Sequence, residues 1–172
     1  LVRSVRVLVT LLPMPAVRRL GHGIGRVAYV LDGARRRVTL ENLANAVPGR
    51  TPREQRQLAR AVFSHFGGLL FELIKFGTWS RERMLGAVEI EGEERVREGL
   101  QEGRGVLIFT GHFGYWEMLA LAHALRIAPM SVLARPLDNR QLDAMLEEIR
   151  TRTGNTVIQR RGAVRRILRD LA

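Results

Sequence analysis

The sequence VLIFTGHFGYWE at residues 106–117 changes from strand-like to helix-like character. Its first five residues form an apolar run of the kind found in strands buried within a parallel sheet. Gly111 and Gly114 then favour a sharp turn, because glycine adopts backbone conformations that are closed to other residues. A helix is expected from residue 115 to about residue 125. The stretch therefore predicts a strand–turn–helix unit, the repeating element of an α/β sheet.

Short β-rich runs and helical patterns alternate from residue 86 to residue 172. Further strands are predicted at 88–90, 130–134 and 156–158, and helices at 93–100, 138–152 and 163–171. Strands that alternate with helices of this length indicate βαβ units and a mostly parallel sheet. The last helical pattern meets no Gly or Pro, and the first residue is Leu1, so we expect a fragment that carries an incomplete sheet.

The first part of the chain, residues 1–80, contains helical patterns only. Residues 1–12 are mostly apolar and end before two prolines, and the uncharged stretch at residues 7–17 is too short to cross a bilayer. This stretch is expected to form an interfacial or re-entrant element, the stub of a longer anchor, or a core helix. Thr51 and Glu54 have the spacing of a capping box, so another helix is expected to begin there. Two domains are thus predicted: a helical, membrane-associating part at 1–80 and an α/β part at 81–172.

Two features of the helical part invite a functional interpretation that the sequence does not favour. The stretch GHGIG at residues 21–25 lacks the spacing of a dinucleotide-binding loop, and no strand precedes it. His65 lies near apolar residues, as does Glu72. A single histidine in such surroundings is more often a satisfied core residue than a catalyst, so His65 is predicted to be buried.

The composition of the 172 residues excludes several kinds of site. Cys is absent, which excludes disulfides, thiolate metal ligands and a Cys nucleophile. The 28 basic and 17 acidic side chains leave a net charge of +11, and 13 of the basic but only 4 of the acidic ones lie within residues 1–76. Such a charge indicates a polyanionic partner: nucleic acid, an anionic membrane or an anionic substrate.

His112 and Glu117 are the candidate catalytic pair. His112 lies in the predicted turn at the carboxyl end of a strand, where ligands gather in open α/β sheets. Glu117 falls in the first turn of the following helix, from which its carboxylate can reach back to the imidazole. A carboxylate on one ring nitrogen makes the other nitrogen a better base. The alternative is a structural role, in which His112 caps the helix and Glu117 favours its dipole.

The stretch TGHFGYWE at residues 110–117 resembles the His-x4-Asp or His-x4-Glu signature of the bacterial lipid A biosynthesis acyltransferases. These enzymes form the lauroyl/myristoyl branch of the lysophospholipid acyltransferase superfamily. Further segments resemble the family in the same order: RVTLENL (37–43) with AVP (46–48), HFG (65–67) with Glu72, RPLDN (135–139) with Arg150, and QRRGA (159–163). Val47 stands where the family usually has Phe. The resemblance covers nearly all of the chain.

The resemblance implies a glycerolphosphate-acyltransferase-like fold and direct acyl transfer without an acyl-enzyme. His112 would be the general base that deprotonates a hydroxyl of a lipid A precursor or related glycolipid. That hydroxyl would attack the acyl thioester of acyl carrier protein or of coenzyme A, while Glu117 would orient His112. The residues implied in substrate binding, with the two arginines on acceptor phosphate, are Arg135, Arg150, Asn139, Gly111, Gly114, Tyr115 and Trp116.

The resemblance also implies a location at the cytoplasmic face of the bacterial inner membrane. The expected partners are the acyl donor, an anionic glycolipid or phospholipid acceptor and the membrane surface, with no nucleic acid, metal or cofactor. Two alternatives stay open. One is an acyltransferase that acts on another lipid acceptor, such as a lysophospholipid or a mannoside glycolipid. The other is a basic protein without catalysis that binds nucleic acid or membranes.

Overall fold

A computed structural model describes residues 2–159 and 162–171, and the chain divides into two compact units at residues 75 and 76. Leu1 and Ala172 lie outside the described residues. So do Arg160 and Arg161, which belong to the family-like segment at residues 159–163.

The N-terminal unit consists of helices in the part that the structure describes. They are α1 (Val2–Leu11), α2 (Met14–Leu31), α3 (Gly33–Ala46) and α4 (Pro52–Phe76). The predicted capping box at the start of α4 is confirmed. The Thr51 hydroxyl accepts from the backbone N–H of Glu54 at 3.3 Å, and the Glu54 carboxylate accepts from the backbone N–H of Thr51 at 2.8 Å.

Helices α2 and α4 pack at very short range through glycine. The buried positions of α2 recur every four residues: Val17, Gly21, Gly25 and Tyr29. A Cβ atom on Gly21 would come within 2.6 Å of the Gly67 carbonyl oxygen in α4. The GHGIG stretch therefore lies inside a helix, where its glycines permit the two backbones to touch.

Two buried charges in the N-terminal unit are both satisfied by polar groups. Glu72 of α4 pairs with Arg18 of α2 at 3.0 Å, and the Lys75 ammonium donates to the backbone carbonyl of Thr10 in α1 at 2.6 Å. A charge withdrawn from water is tolerated when it is paired or hydrogen-bonded in this way. These two contacts tie α1 and α2 to the C-terminal half of α4.

The prediction that His65 is a core residue is wrong, because its side chain is exposed on α4. The face of α4 that packs against α2 is formed by Ser64, Gly67 and Gly68. His65 follows Ser64 by one position, which turns its side chain by about 100° from that of Ser64 around an α-helix and places it at the exposed border of that face.

The second unit has the predicted α/β character. Its elements are α5 (Arg81–Gly86), α6 (Glu93–Gln101), α7 (Trp116–Arg126), β1 (Ser131–Ala134), α8 (Arg140–Thr151), β2 (Thr156–Gln159) and α9 (Ala163–Leu171). Strands β1 and β2 are parallel neighbours, with Ser131 opposite Thr156 and Ala134 opposite Gln159. Helix α8 makes the crossover between them and packs Met145, Leu146 and Ile149 into the core. The α/β fold class with an incomplete sheet is thus confirmed.

The strands predicted at residues 88–90 and 106–110 are wrong: both segments are irregular. Leu107 and Phe109 are 60% and 91% exposed, so the apolar run is not buried. A strand needs a neighbour to accept its backbone hydrogen bonds, and the sheet of the described residues pairs β1 with β2 alone. The apolar sequence of residues 106–109 supplies the side chains of a buried strand but not that neighbour.

Apolar side chains also lie exposed on the first two helices. They are Val7, Leu8 and Leu11 on α1 and Ile24, Val27, Val30 and Leu31 on α2. Among the helices of residues 2–159 and 162–171, none combines the length and the apolar content needed to cross a bilayer.

Replacing Gly25 by Ala should destabilise the protein by about 1–3 kcal/mol, because the new methyl group collides with the backbone of α4 at Phe63 and Ser64. Gly23→Ala is the matched control: nothing lies within 4 Å of its Cβ position. Since Ala is favoured over Gly inside a helix, the control should stabilise by about 0.5–1 kcal/mol. Urea unfolding followed by circular dichroism measures both changes. Equal effects of the two substitutions would contradict the close packing.

His123 of α7 should make stability depend on pH. Its Nδ1–H donates to the Ala128 carbonyl at 2.9 Å, while Nε2 is buried and has no partner in the described part of the chain. Burial lowers the pKa of this imidazole, and the bond to Ala128 opposes that shift only in part. The unfolded state therefore binds the proton more readily. The stability contributed by neutral His123 should be fully present above the unfolded pKa of about 6.5 and should decrease as the pH falls below it.

His123→Asn provides the control, because the Asn amide keeps a donor near the position of Nδ1 but does not titrate. The measurement is the urea midpoint of both proteins at about pH 7.5 and about pH 5.5. The wild type should lose more stability on acidification than the variant. Identical losses would show that another group carries the pH dependence.

Candidate active site

His112 lies in the turn that leads into α7. The segment before it is irregular, and Gly114 has a positive φ of 56°, which lets the chain reverse towards the helix. The imidazole is exposed, and its ring centroid lies 4.8 Å from that of Trp116 at an interplanar angle of 53°. The two rings are therefore in tilted contact, and neither nitrogen atom of the imidazole is hydrogen-bonded to a described residue.

Glu117 binds Arg150 through both carboxylate oxygens. Arg150 Nε donates to Oε2 at 2.9 Å, and a second guanidinium N–H donates to Oε1. The two side chains are only 15% and 19% exposed, with Arg150 the less exposed of the two. The hydrogen bonds to Glu117 are the main cause of a raised pKa of the guanidinium. A bidentate pair of this kind is strong and directional because two parallel bonds fix both groups.

The elements around the pair are held by two asparagine side chains. Asn139 caps α8 by accepting from the backbone N–H groups of Gln141 and Leu142. Asn155 is buried; its oxygen accepts from the Met130 N–H at 2.9 Å, and its amide donates to the Ala120 carbonyl of α7 at 2.9 Å. Asn155 therefore ties α7 to the residues that precede β1 and β2, and Asn139 fixes the start of α8.

The structure brings some of the predicted site residues together and leaves others apart. Glu117 meets Arg150, and His112 meets Trp116, but no hydrogen bond joins His112 to Glu117 in the described chain. Arg135 follows β1 and is exposed. Of the other predicted residues, Gly111 and Gly114 are exposed near the turn, and Tyr115 is half-buried and directly precedes α7. Asn139 is the residue that caps α8.

Sequence reasoning selected Glu117 and Arg150 separately and missed that they pair. Helix periodicity alone indicates surface charge for Arg150, because the opposite face of α8 is apolar. Asn155 was missed altogether. An Asn directly before a strand gives no local signal of burial, since its partners lie 25 and 35 residues away. Within the described residues, no group of three or more His, Asp or Glu side chains could hold a metal ion.

Comparison with known proteins gives consistent matches. The model of the bacterial lipid A biosynthesis acyltransferase family matches residues 1–172. The chain is 28% identical over 154 residues to the lipid A biosynthesis lauroyltransferase of Escherichia coli strain K12, which covers 90% of this chain and 50% of that protein. It is 25% identical over 149 residues both to the palmitoleoyltransferase of lipid A biosynthesis in the same strain and to a lipid A biosynthesis acyltransferase of Shigella flexneri. These two matches cover 87% of this chain and 48% of each relative.

The fold and the site define an α/β protein with a candidate acid–base centre at the start of a helix that follows a glycine-containing turn. The match along its whole length shows that the chain belongs to the bacterial lipid A biosynthesis acyltransferase family. It spans about half the length of the curated relatives that it matches.

Breaking the Glu117–Arg150 pair should reveal a coupling of about 1–3 kcal/mol in a double-mutant cycle of Glu117→Gln and Arg150→Gln. Each single variant leaves the partner charge poorly solvated, whereas the double variant leaves none, so the effects should not add. Arg152→Gln removes the same charge from an exposed position two residues on and should change stability by less than about 0.5 kcal/mol. Urea denaturation measures all four variants. Additive single effects would show that the pair contributes nothing specific.

Proposed function

We propose that the full-length protein containing this chain transfers a fatty acyl group from a thioester to a hydroxyl of a lipid A precursor or related glycolipid. The observation that carries the proposal is the position of His112: an exposed imidazole, in contact with the Trp116 ring, in the turn before α7 of a chain that belongs to this family. The names of the relatives, a lauroyltransferase and a palmitoleoyltransferase, support acyl transfer as the reaction.

In the proposed reaction His112 takes the proton of the acceptor hydroxyl as the oxygen attacks the thioester carbonyl. The tetrahedral intermediate collapses, the C–S bond breaks, and the imidazolium returns the proton to the departing sulfur. The donor is the thioester of acyl carrier protein or of coenzyme A. No protein nucleophile is needed, which agrees with the absence of Cys from the sequence.

Glu117 would orient His112 and stabilise the imidazolium. A carboxylate offers about four lone-pair positions, and Arg150 occupies two of them, so an imidazole N–H can be accepted at another. Arg150 has five N–H donors and gives two to Glu117. Its remaining donors can therefore bind an acceptor phosphate, and exposed Arg135 supplies a second guanidinium. We propose that Gly111, Gly114 and Tyr115 line the approach to His112.

We also propose that the protein works at the cytoplasmic face of the bacterial inner membrane, with the N-terminal unit as the membrane-associating part. The exposed apolar residues Ile24, Val27 and Leu31 share one face of α2. An apolar face next to many arginines is the composition of a helix that lies in the interface of an anionic bilayer. In this proposal the positive charge of residues 1–76 binds anionic lipid rather than nucleic acid.

Replacing His112 by Ala should lower kcat at least about 100-fold, because general-base catalysis contributes factors of this size. The assay incubates the full-length protein with labelled acyl carrier protein thioester or acyl-CoA and with lipid A precursor, lysophospholipid or mannoside glycolipid. The KM for the acceptor should change much less than kcat, since the imidazole acts on the proton and not on binding. Glu117→Gln should reduce kcat by a smaller factor.

Gln101→Ala is the control, because Gln101 is exposed at the end of α6. It should retain wild-type kcat. Full activity in His112→Ala would overturn the assignment of the base, and a wild-type protein that acylates none of the acceptors would overturn the proposed reaction. The donor and acceptor that give turnover identify the substrates.

A further inference from the structure

A cleft with only basic and neutral polar groups lies in the N-terminal unit, between α2 and α4. Its volume is about 320 Å³, and it is lined by His22, Arg26, Arg60, Ala61, Ser64 and His65. We call it the cationic cleft. Two guanidinium groups, two imidazoles and a hydroxyl share it, and no carboxylate lines it. His65, which is exposed rather than buried, is one of its walls.

The floor of the cationic cleft is fixed by the glycine-mediated contact of the two helices. His22 Nδ1 lies 2.9 Å from the backbone carbonyl oxygen of Ser64, to which it donates. The Ser64 hydroxyl lies 3.3 Å from the same nitrogen. A Cβ on Gly68 would come within 2.8 Å of the His22 ring, so the lack of a side chain at this position leaves room for the imidazole. The histidine is therefore seated against α4 before any ligand arrives.

The two arginines of the cleft have no carboxylate partner within residues 3–75. The four acidic side chains of this unit are all engaged by other arginines, in the pairs Asp32–Arg35, Glu41–Arg37, Glu54–Arg50 and Glu72–Arg18. The Arg60 guanidinium lies over the Tyr29 ring, 5.5 Å from its centroid. Contact with a ring face leaves the N–H groups at the edge of the guanidinium plane available.

We propose that the cationic cleft binds a phosphate group. Uncompensated guanidinium groups that converge on one cavity favour an anion, and their planar N–H pairs match phosphate oxygens bidentately. The same charges repel a metal cation, although two histidines are present. The phosphate can be free or carried by a lipid headgroup. This function is separate from the proposed acyl transfer, because none of its residues belongs to the chemistry at His112.

The experiment titrates the 172-residue chain with inorganic phosphate in a calorimeter and measures its co-sedimentation with phosphatidylcholine vesicles with and without phosphatidic acid. The variants are Arg26→Gln and Arg60→Gln. Arg53→Gln removes the same charge from the exposed first turn of α4, outside the cleft, and is the matched control. Circular dichroism checks that each variant keeps the helix content of the wild type.

Each cleft variant should weaken phosphate binding at least about tenfold, since a hydrogen bond to a charged group is lost. Arg53→Gln should bind like the wild type. An effect on both phosphate and phosphatidic acid vesicles indicates a site for any accessible phosphate, and an effect on vesicles alone indicates a lipid headgroup. Equal binding by the cleft variants and Arg53→Gln in both assays would overturn the proposal, because the interaction would then follow net charge only. Absence of binding by the wild type would also overturn it.

Discussion

The ion pair between Glu117 and Arg150 joins the helix before β1 to the helix after it, and the geometry of the candidate site depends on this contact. Both side chains are mostly withdrawn from solvent, so each charge is matched by the other rather than by water. Because both charges lose water, forming such a pair costs free energy. Removing only one of the two charges costs more, since the other is then left without a partner. The pair therefore fixes the first turn of α7 against the last turn of α8. The turn that carries His112 directly precedes α7 and is constrained with it.

The same pair bears on how the carboxylate can act in the proposed reaction. Arg150 occupies one position on each carboxylate oxygen of Glu117 and leaves others open to accept an imidazole N–H. In the proposed reaction, such a hydrogen bond would let Glu117 orient His112. The proton that His112 takes from the hydroxyl in this proposal would then pass to the departing sulfur.

The sequence predicted well what depends on local pattern and poorly what depends on a distant partner. Alternation of apolar runs and helical patterns correctly indicated the parallel βαβ unit of β1, α8 and β2. The strongest strand signal, at residues 106–110, failed because a strand exists only when a neighbour accepts its hydrogen bonds. His65 was misjudged because an apolar sequence neighbour does not ensure burial: Phe66, whose ring contacts that of His65, is itself exposed. The meeting of Glu117 with Arg150 follows from the crossover, which no spacing in the sequence encodes.

The unpaired apolar run has a consequence for how the chain behaves in aqueous buffer. Phe109 and Phe113 are 91% and 92% exposed, and residues 105–111 carry no charge or proline that would discourage intermolecular pairing. Two chains that meet along this segment can satisfy each other's backbone groups and cover each other's phenyl rings. Aggregation in buffer would then increase with protein concentration and decrease in a detergent that shields the aromatic rings.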